Sequence, residues 1–236
     1  MDMTRRHLAL ACAVACFATG RAVTSIALAA GPSSRRHDSD DAFPIEHDEV
    51  KKIAPAFRRT VIDYTSDEQV GTVIVDPGAK YLYLLFEGGK ALRYGIGVGR
   101  QGFEWSGEAF IRRKAKWPRW TPPKSMVTRD PLAAKWAGGM PGGPDNPLGA
   151  RALYLYQGEV DTLYRIHGTN QPQSIGKAVS SGCIRLLNAD IADLYSRVRL
   201  GAKVIVLPVM PAHPELMPSD DFRTKRPQGS RSESIY

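Results

Sequence analysis

Tyr81-Leu82-Tyr83-Leu84-Leu85-Phe86-Glu87-Gly88-Gly89-Lys90-Ala91-Leu92-Arg93-Tyr94-Gly95-Ile96-Gly97-Val98 reads as two strands about a tight turn. Aliphatic and aromatic side chains fill both halves, and Gly88-Gly89 supplies the left-handed backbone positions that a two-residue hairpin needs. Before it, Val61-Ile62-Asp63-Tyr64 and Thr72-Val73-Ile74-Val75 read as two more strands, the second ended by the Asp76-Pro77-Gly78 turn. Together these four suggest an antiparallel meander. Further along, Leu153–Tyr156 and Thr162–Ile166 form a second hairpin, and Lys203–Leu207 is a closing strand stopped by Pro208. Asn188 is expected to cap a helix over Ala189–Val198, because Ile191, Leu194, Tyr195 and Val198 fall on one face. The reading is mostly β, a β-sandwich or mixed barrel with one or two helices, not a parallel α/β sheet.

The flanks differ from this core. Over residues 1–30, Arg5 and Arg6 precede an apolar stretch from Leu8 to Thr19, and Ala27-Leu28-Ala29 offers a small-x-small cleavage pattern. That combination reads as an export signal peptide, by the general or the twin-arginine route. The stretch is too short to span a bilayer, so no transmembrane helix is expected in the mature protein. Residues 31–59 hold six basic and six acidic side chains without sustained periodicity and read as a flexible tether, with room for a short helix near Val50–Phe57. Residues 212–236 read as a disordered tail. The folded domain is then 60–211, with 19 basic and 13 acidic residues of a chain whose net charge is +8. An apolar content of 43% and a charged content of 24% over 236 residues exclude a wholly disordered chain, a fibrous repeat and a polytopic membrane protein. Export argues against nucleic acid as the partner of the basic face.

Residues 105–150 carry all four Trp and many Pro and Gly. Such a long irregular segment in a compact domain is usually functional. Arg112, Arg113, Lys114 and Lys116, with Trp117 and Trp120, read either as a lid over a groove for an anionic, partly sugar-like ligand or as a solvated loop with Trp side chains plugging the core.

The chemistry concentrates on two residues. Once the signal leaves with Cys12 and Cys16, Cys183 is the only cysteine, and it lies in Ser180-Ser181-Gly182-Cys183-Ile184-Arg185. The domain also holds one histidine, His167, at the end of a strand in His167-Gly168-Thr169-Asn170. One cysteine builds neither a disulfide within the chain nor a Cys-rich zinc site; no metal and no cofactor are expected. A thiol becomes a nucleophile when a base takes or compensates its proton, and imidazole is the usual one. Taken singly, each residue also reads as an ordinary core side chain. The small neighbours of Cys183 argue otherwise, because they let a substrate backbone approach the sulfur.

His167-Gly168-Thr169-Asn170 followed by Ser180-x-Gly182-Cys183-Ile184-Arg185-Leu186 resembles the signature of the L,D-transpeptidase catalytic domain, the YkuD family. Asn146-Pro147-Leu148-Gly149 and the Val75-Asp76…Leu82-Tyr83-Leu84 opening are similar to it as well, so the resemblance runs over roughly 70–208. Ser181 stands where the family usually has His, and Trp105-Ser106-Gly107-Glu108 replaces its Thr-Pro-Thr-Gly stretch. The resemblance implies a periplasmic, cell-wall-associated enzyme that forms 3→3 cross-links between peptidoglycan stem peptides through a cysteine acyl-enzyme. By it, Cys183 is the nucleophile, His167 the base and the Gly168 carbonyl the group that orients the imidazole. The N–H groups of Cys183 and Gly182 hold the oxyanion. Arg185 meets the anion or a stem carboxylate, or makes a structural ion pair, and Ser180 shapes the turn beside Ser181. Water as acceptor would make a carboxypeptidase, an amine of an outer-membrane protein would make an attachment enzyme, and loss of turnover would leave a non-catalytic wall-binding module.

Overall fold

The structure is a computed structural model that describes residues 41–99, 105–180, 183–209 and 233–234. In chain order the strands are β1 (Thr60–Asp63), β2 (Val73–Asp76), β3 (Tyr81–Phe86), β4 (Lys90–Gly95), β5 (Val98–Gly99) and β6 (Gly107–Lys116). The short helices α1 (Lys124–Val127) and α2 (Pro131–Lys135) follow. The chain continues with β7 (Arg151–Gln157), β8 (Val160–His167), β9 (Ala178–Ser180), β10 (Ile184–Arg185), α3 (Asn188–Arg197), β11 (Lys203–Val206) and β12 (Glu233–Ser234). Among the described residues this is a mostly β fold with few helices, as expected, and no helix is long and apolar enough to cross a membrane.

Ten strands share one sheet in the order β10-β8-β7-β6-β11-β2-β3-β4-β1-β12. The β3–β4 hairpin forms as read, with φ +71° at Gly88 and +67° at Gly89. The meander stops there: β1 pairs with β4, not with β2. The two halves of the sheet are joined by β11, parallel to β2 on one side and antiparallel to β6 on the other. Strand alternation sorts side chains to two faces. Val73, Val75, Leu82, Leu84, Leu92 and Tyr94 enter the same core as Ile111, Leu153, Leu155 and Ile166 from the other half, with Ile191, Leu194 and Val198 of α3. Ile74, Tyr83, Leu85 and Ala91 form a second cluster on the opposite face. Residues from both halves meet in one core because the sheet curls. Gly97 and Arg185 exchange two backbone hydrogen bonds of 2.9 Å, which brings β10 against the chain leaving β4.

Three expectations change. Residues 41–59 are not a tether. Ile45 and Ile53 are buried, Asp41 makes a buried ion pair with Arg151, and Arg59 reaches Asp193 at 3.1 Å. The segment is too polar to show a period, yet its few apolar side chains each find a core cluster. Of the 212–236 tail, Glu233–Ser234 pair with β1, and the rest lies outside the described residues. Finally, the charged part of the lid is a strand: Arg112, Arg113, Lys114 and Lys116 lie on β6, between β11 and β7. The alternation of Ala109 and Ile111 inward with Phe110 and Arg112 outward is a strand period that the basic run obscures.

Candidate active site

β8 ends at His167, and β10 runs parallel beside it with Ile184 opposite Ile166 and Arg185 opposite His167. Cys183 directly precedes β10, so the register sets it across from Arg165, two residues before His167. Diagonal neighbours of this kind lie about 7–8 Å apart at Cα, within side-chain reach. His167 and Cys183 feel the same two charges, Arg165 and Arg185, which is a second sign that they share one site.

His167 is 4% exposed. Its Nδ1 sits 2.6 Å from the Gly168 carbonyl oxygen. A carbonyl only accepts, so Nδ1 carries the proton and Nε2 is left as the acceptor. Burial, then Arg185, then Arg165 disfavour the imidazolium, against the opposing pull of that hydrogen bond, and its pKa is pushed down to about 4. Burial pushes the Cys183 thiol up, opposed by a hydrogen bond with the Arg165 backbone and by the charges of Arg165 and Arg185. At neutral pH the resting pair is therefore thiol and neutral imidazole.

The turn that carries Gly168 is held by Asn188. Its Oδ1 accepts the Ala150 N–H at 2.9 Å and its Nδ2 donates to the Thr169 carbonyl at 2.9 Å. A Cβ on Gly149 or on Gly168 would collide with Asn188 Oδ1, and Gly149 also has φ +61°. The side chain read as a helix cap thus has another use. Leu187 is the N-cap of α3, without a side-chain cap bond, and the Asn188 N–H donates instead to the Glu49 carboxylate. Asn146, fully buried, donates to the Pro118 and Pro141 carbonyls and accepts the Leu148 N–H, which fixes the loop leading to Gly149.

Of the residues read as site candidates, the fold brings His167, Gly168, Cys183 and Arg185 together. Arg185 donates to Gln171 Oε1 at 3.3 Å, and among the described residues no carboxylate pairs with it. Ser180 is the last residue of β9, and its side chain, with the whole of Ser181 and Gly182, lies outside the described residues. The lid candidates disperse. Trp117 is buried against Phe43, with ring centroids 5.2 Å apart, so the core-plug reading holds for it. Trp120 pairs its backbone with Met140. Arg112 reaches out to Glu159 at 3.5 Å, and Arg113 stacks on Tyr154. Two participants escaped the reading of the sequence. Arg165 carried no motif signal, and Asn188 was absorbed by its helix. The clue for Arg165 was its alternation with His167, which puts both on one face of β8.

A cysteine directly before a parallel edge strand, beside a histidine whose ring is oriented by a carbonyl, brings together the groups that cysteine-dependent acyl transfer uses. The chain belongs to the L,D-transpeptidase catalytic domain family, YkuD, whose pattern it matches over residues 71–206. It is 40% identical over 118 residues to the probable L,D-transpeptidase YbiS of Escherichia coli K12, a match that covers 46% of this chain and 35% of that one. It is 44% identical over 66 residues to the putative L,D-transpeptidase YqjB of Bacillus subtilis, covering 28% and 38%. This chain thus spans about a third of the length of such relatives. A Brucella melitensis crystal structure described as a probable carnitine operon oxidoreductase is 48% identical, covers 68% of this chain and 99% of its own, and superposes with a TM-score of 0.46.

Proposed function

We propose that this protein is an exported L,D-transpeptidase that joins peptidoglycan stem peptides by 3→3 cross-links through a thioester on Cys183. The observation that carries the reading is the placement of Cys183 across from Arg165 and diagonal to His167, with the imidazole tautomer set by the Gly168 carbonyl so that Nε2 is the acceptor. Family membership supports the same chemistry.

In the first half-reaction the Cys183 sulfur attacks the carbonyl at the L-centre of the diamino acid. Nε2 of His167 takes the thiol proton as the S–C bond forms, because neither ion is favoured beforehand in this buried site. The tetrahedral oxyanion is held by the N–H of Cys183, and the charges of Arg185 and Arg165 favour it. Collapse breaks the C–N bond, and the imidazolium returns its proton to the departing D-Ala amine. In the second half-reaction an amine of a neighbouring stem attacks the thioester, His167 accepts its proton, and Cys183 leaves as thiol. Water in place of the amine trims the stem, and an amine of an outer-membrane protein anchors it.

Purified protein incubated with muropeptides, followed by mass spectrometry, tests the reading. Cross-linked dimers that vanish in Cys183→Ala and fall by about 10²–10⁴ in His167→Gln are expected. Trimmed monomers without dimers would point to the hydrolase, and unchanged muropeptides with unmodified Cys183 would sink the acyl-enzyme altogether.

A further inference from the structure

The face of β6, β7 and β8 opposite the core carries a row of side chains that the acyl-transfer chemistry does not use. Arg113, Tyr154 and Arg165 stand opposite one another in register across the three strands. Both guanidinium groups stack on the single Tyr154 ring, Arg113 at 4.4 Å and Arg165 at 4.5 Å from its centroid. Two cations on one ring repel each other unless anions compensate them. Arg165 is compensated: it makes a two-pronged pair with Asp161 at 2.7 and 2.8 Å and donates to the Tyr164 carbonyl. Arg113 is not. It is exposed, and among the described residues no carboxylate pairs with it, while its neighbour Arg112, displaced by the bulge between Ile111 and Arg113, takes Glu159. The ring holds the Arg113 guanidinium in place and leaves its fork of donors open, which is the arrangement that recognises a carboxylate.

The row starts at the thiol. The Arg165 backbone hydrogen-bonds Cys183, and its charge acts on Cys183 and His167. From β8 to β6 is two strand spacings, about 10 Å, and the arginine side chain shortens the gap on one side.

We propose that Arg113, seated on Tyr154 beside the locked Arg165, binds a carboxylate of the acyl-donor peptide. It selects donors that carry an anion within about 10 Å of the scissile carbonyl over the same donors with that group amidated. The inference rests on the acyl-transfer reading and adds to it a subsite that sets substrate choice. Arg113 acts in binding only; no bond is made or broken there.

The test uses the full chain and pairs of synthetic stem tetrapeptides that differ in one group, a carboxylate or its carboxamide. One pair is altered at the residue before the diamino acid, the other at the end of the diamino acid side chain. Acyl-enzyme is followed by intact mass. The protein should favour the carboxylate member of one pair by about tenfold or more at limiting peptide, since one charge-assisted hydrogen-bond pair is lost with the amide. Arg113→Gln should bring that ratio close to one through a weaker concentration dependence and not through the maximal rate. Arg113→Lys should restore part of it, and added salt should shrink it. A readout that needs no turnover is protection of Cys183 from iodoacetamide, which should be stronger with the carboxylate peptide and lose that difference in Arg113→Gln. Equal ratios in the parent protein and Arg113→Gln, for acylation and for protection, would overturn the subsite. Discriminating protection without any acylation would keep the subsite and overturn the transpeptidase reading; neither acylation nor protection would overturn both.

Discussion

His167 is buried beside Arg185 and Arg165, and burial and both charges act against its protonated form. The sequence alone suggested a histidine that stabilises a thiolate at neutral pH. The structure reverses the resting state, because burial raises the thiol while it lowers the imidazole. The ultraviolet absorbance of the thiolate should therefore be absent at neutral pH and appear only above the ordinary thiol range; a step at mildly acidic pH would show a preformed ion pair instead. The same shift has a stability consequence. The unfolded chain binds a proton at His167 near pH 6.5, the folded one only near 4. Stability from this group is fully present above 6.5 and is lost as pH falls towards 4, by about 3 kcal/mol in total. Urea unfolding of the parent and of His167→Gln across this window should show a flatter acid limb in the variant, and parallel curves would refute the buried neutral imidazole.

At the scale of elements, α3 does more than fill the curl of the sheet. Its first residue clamps the Gly149 and Gly168 turns, and its last turn is closed from β6. Lys114 Nζ donates to the Tyr195 and Val198 carbonyls at 2.6 and 2.8 Å and lies 4.2 Å from the centre of the Tyr195 ring. Carbonyls at a helix C-terminus lack partners within the helix, and a cation there meets both them and the helix dipole. Lys114 is thus a structural residue, although its basic neighbours make it look like part of a binding patch. Replacing Lys114 by Met should cost about 1–2 kcal/mol in urea unfolding and leave acylation by a small carbapenem unchanged. Asn188→Ala behaves differently, because it strands a buried N–H and a buried C=O. A loss of about 2–4 kcal/mol is expected, together with slower acylation, since the Gly168 carbonyl that orients His167 loses its support. Normal acylation in a folded Asn188→Ala protein would show that the turn holds itself.

Across the whole molecule, residues 41–59 form a strap outside the 71–206 family region. Phe43 and Ile45 pack with Trp117, Glu49 accepts the first N–H of α3, and Ile53 joins Ile175 and Leu187. Arg59 ends it in a buried network with Asp190, Asp193 and, through Asp193, Tyr94 and Arg197. The strap therefore touches β4, β7, α3 and the turn before β9. Asp41→Ala would leave Arg151 charged and buried with its partner gone, a cost of about 3–5 kcal/mol. The unfolding midpoint should drop accordingly, and an unchanged midpoint would show that the strap contributes little.

The sequence by itself determined most strands, because period two and glycine turns are local signals: the hairpin about Gly88-Gly89, the hairpin read at 153–156 and 162–166 and the closing strand are all present, although β4 ends at Gly95 and Val98 joins a separate pair of strands. It also singled out His167 and Cys183 as candidates, since each is the sole residue of its type in the 60–211 domain. Only the tertiary structure decided that β1 crosses to β4 and that β11 enters between β2 and β6, because pairing partners depend on long-range packing that no local period encodes. The same holds for charge. A row of arginines and lysines looks uniform along the chain, yet successive side chains of β6 point to opposite faces, one into the helix end and one over Tyr154. Whether a cation supports the fold or faces a ligand is settled by the strand's orientation in the sheet, and by the carboxylates, carbonyls and rings that distant segments bring beside it.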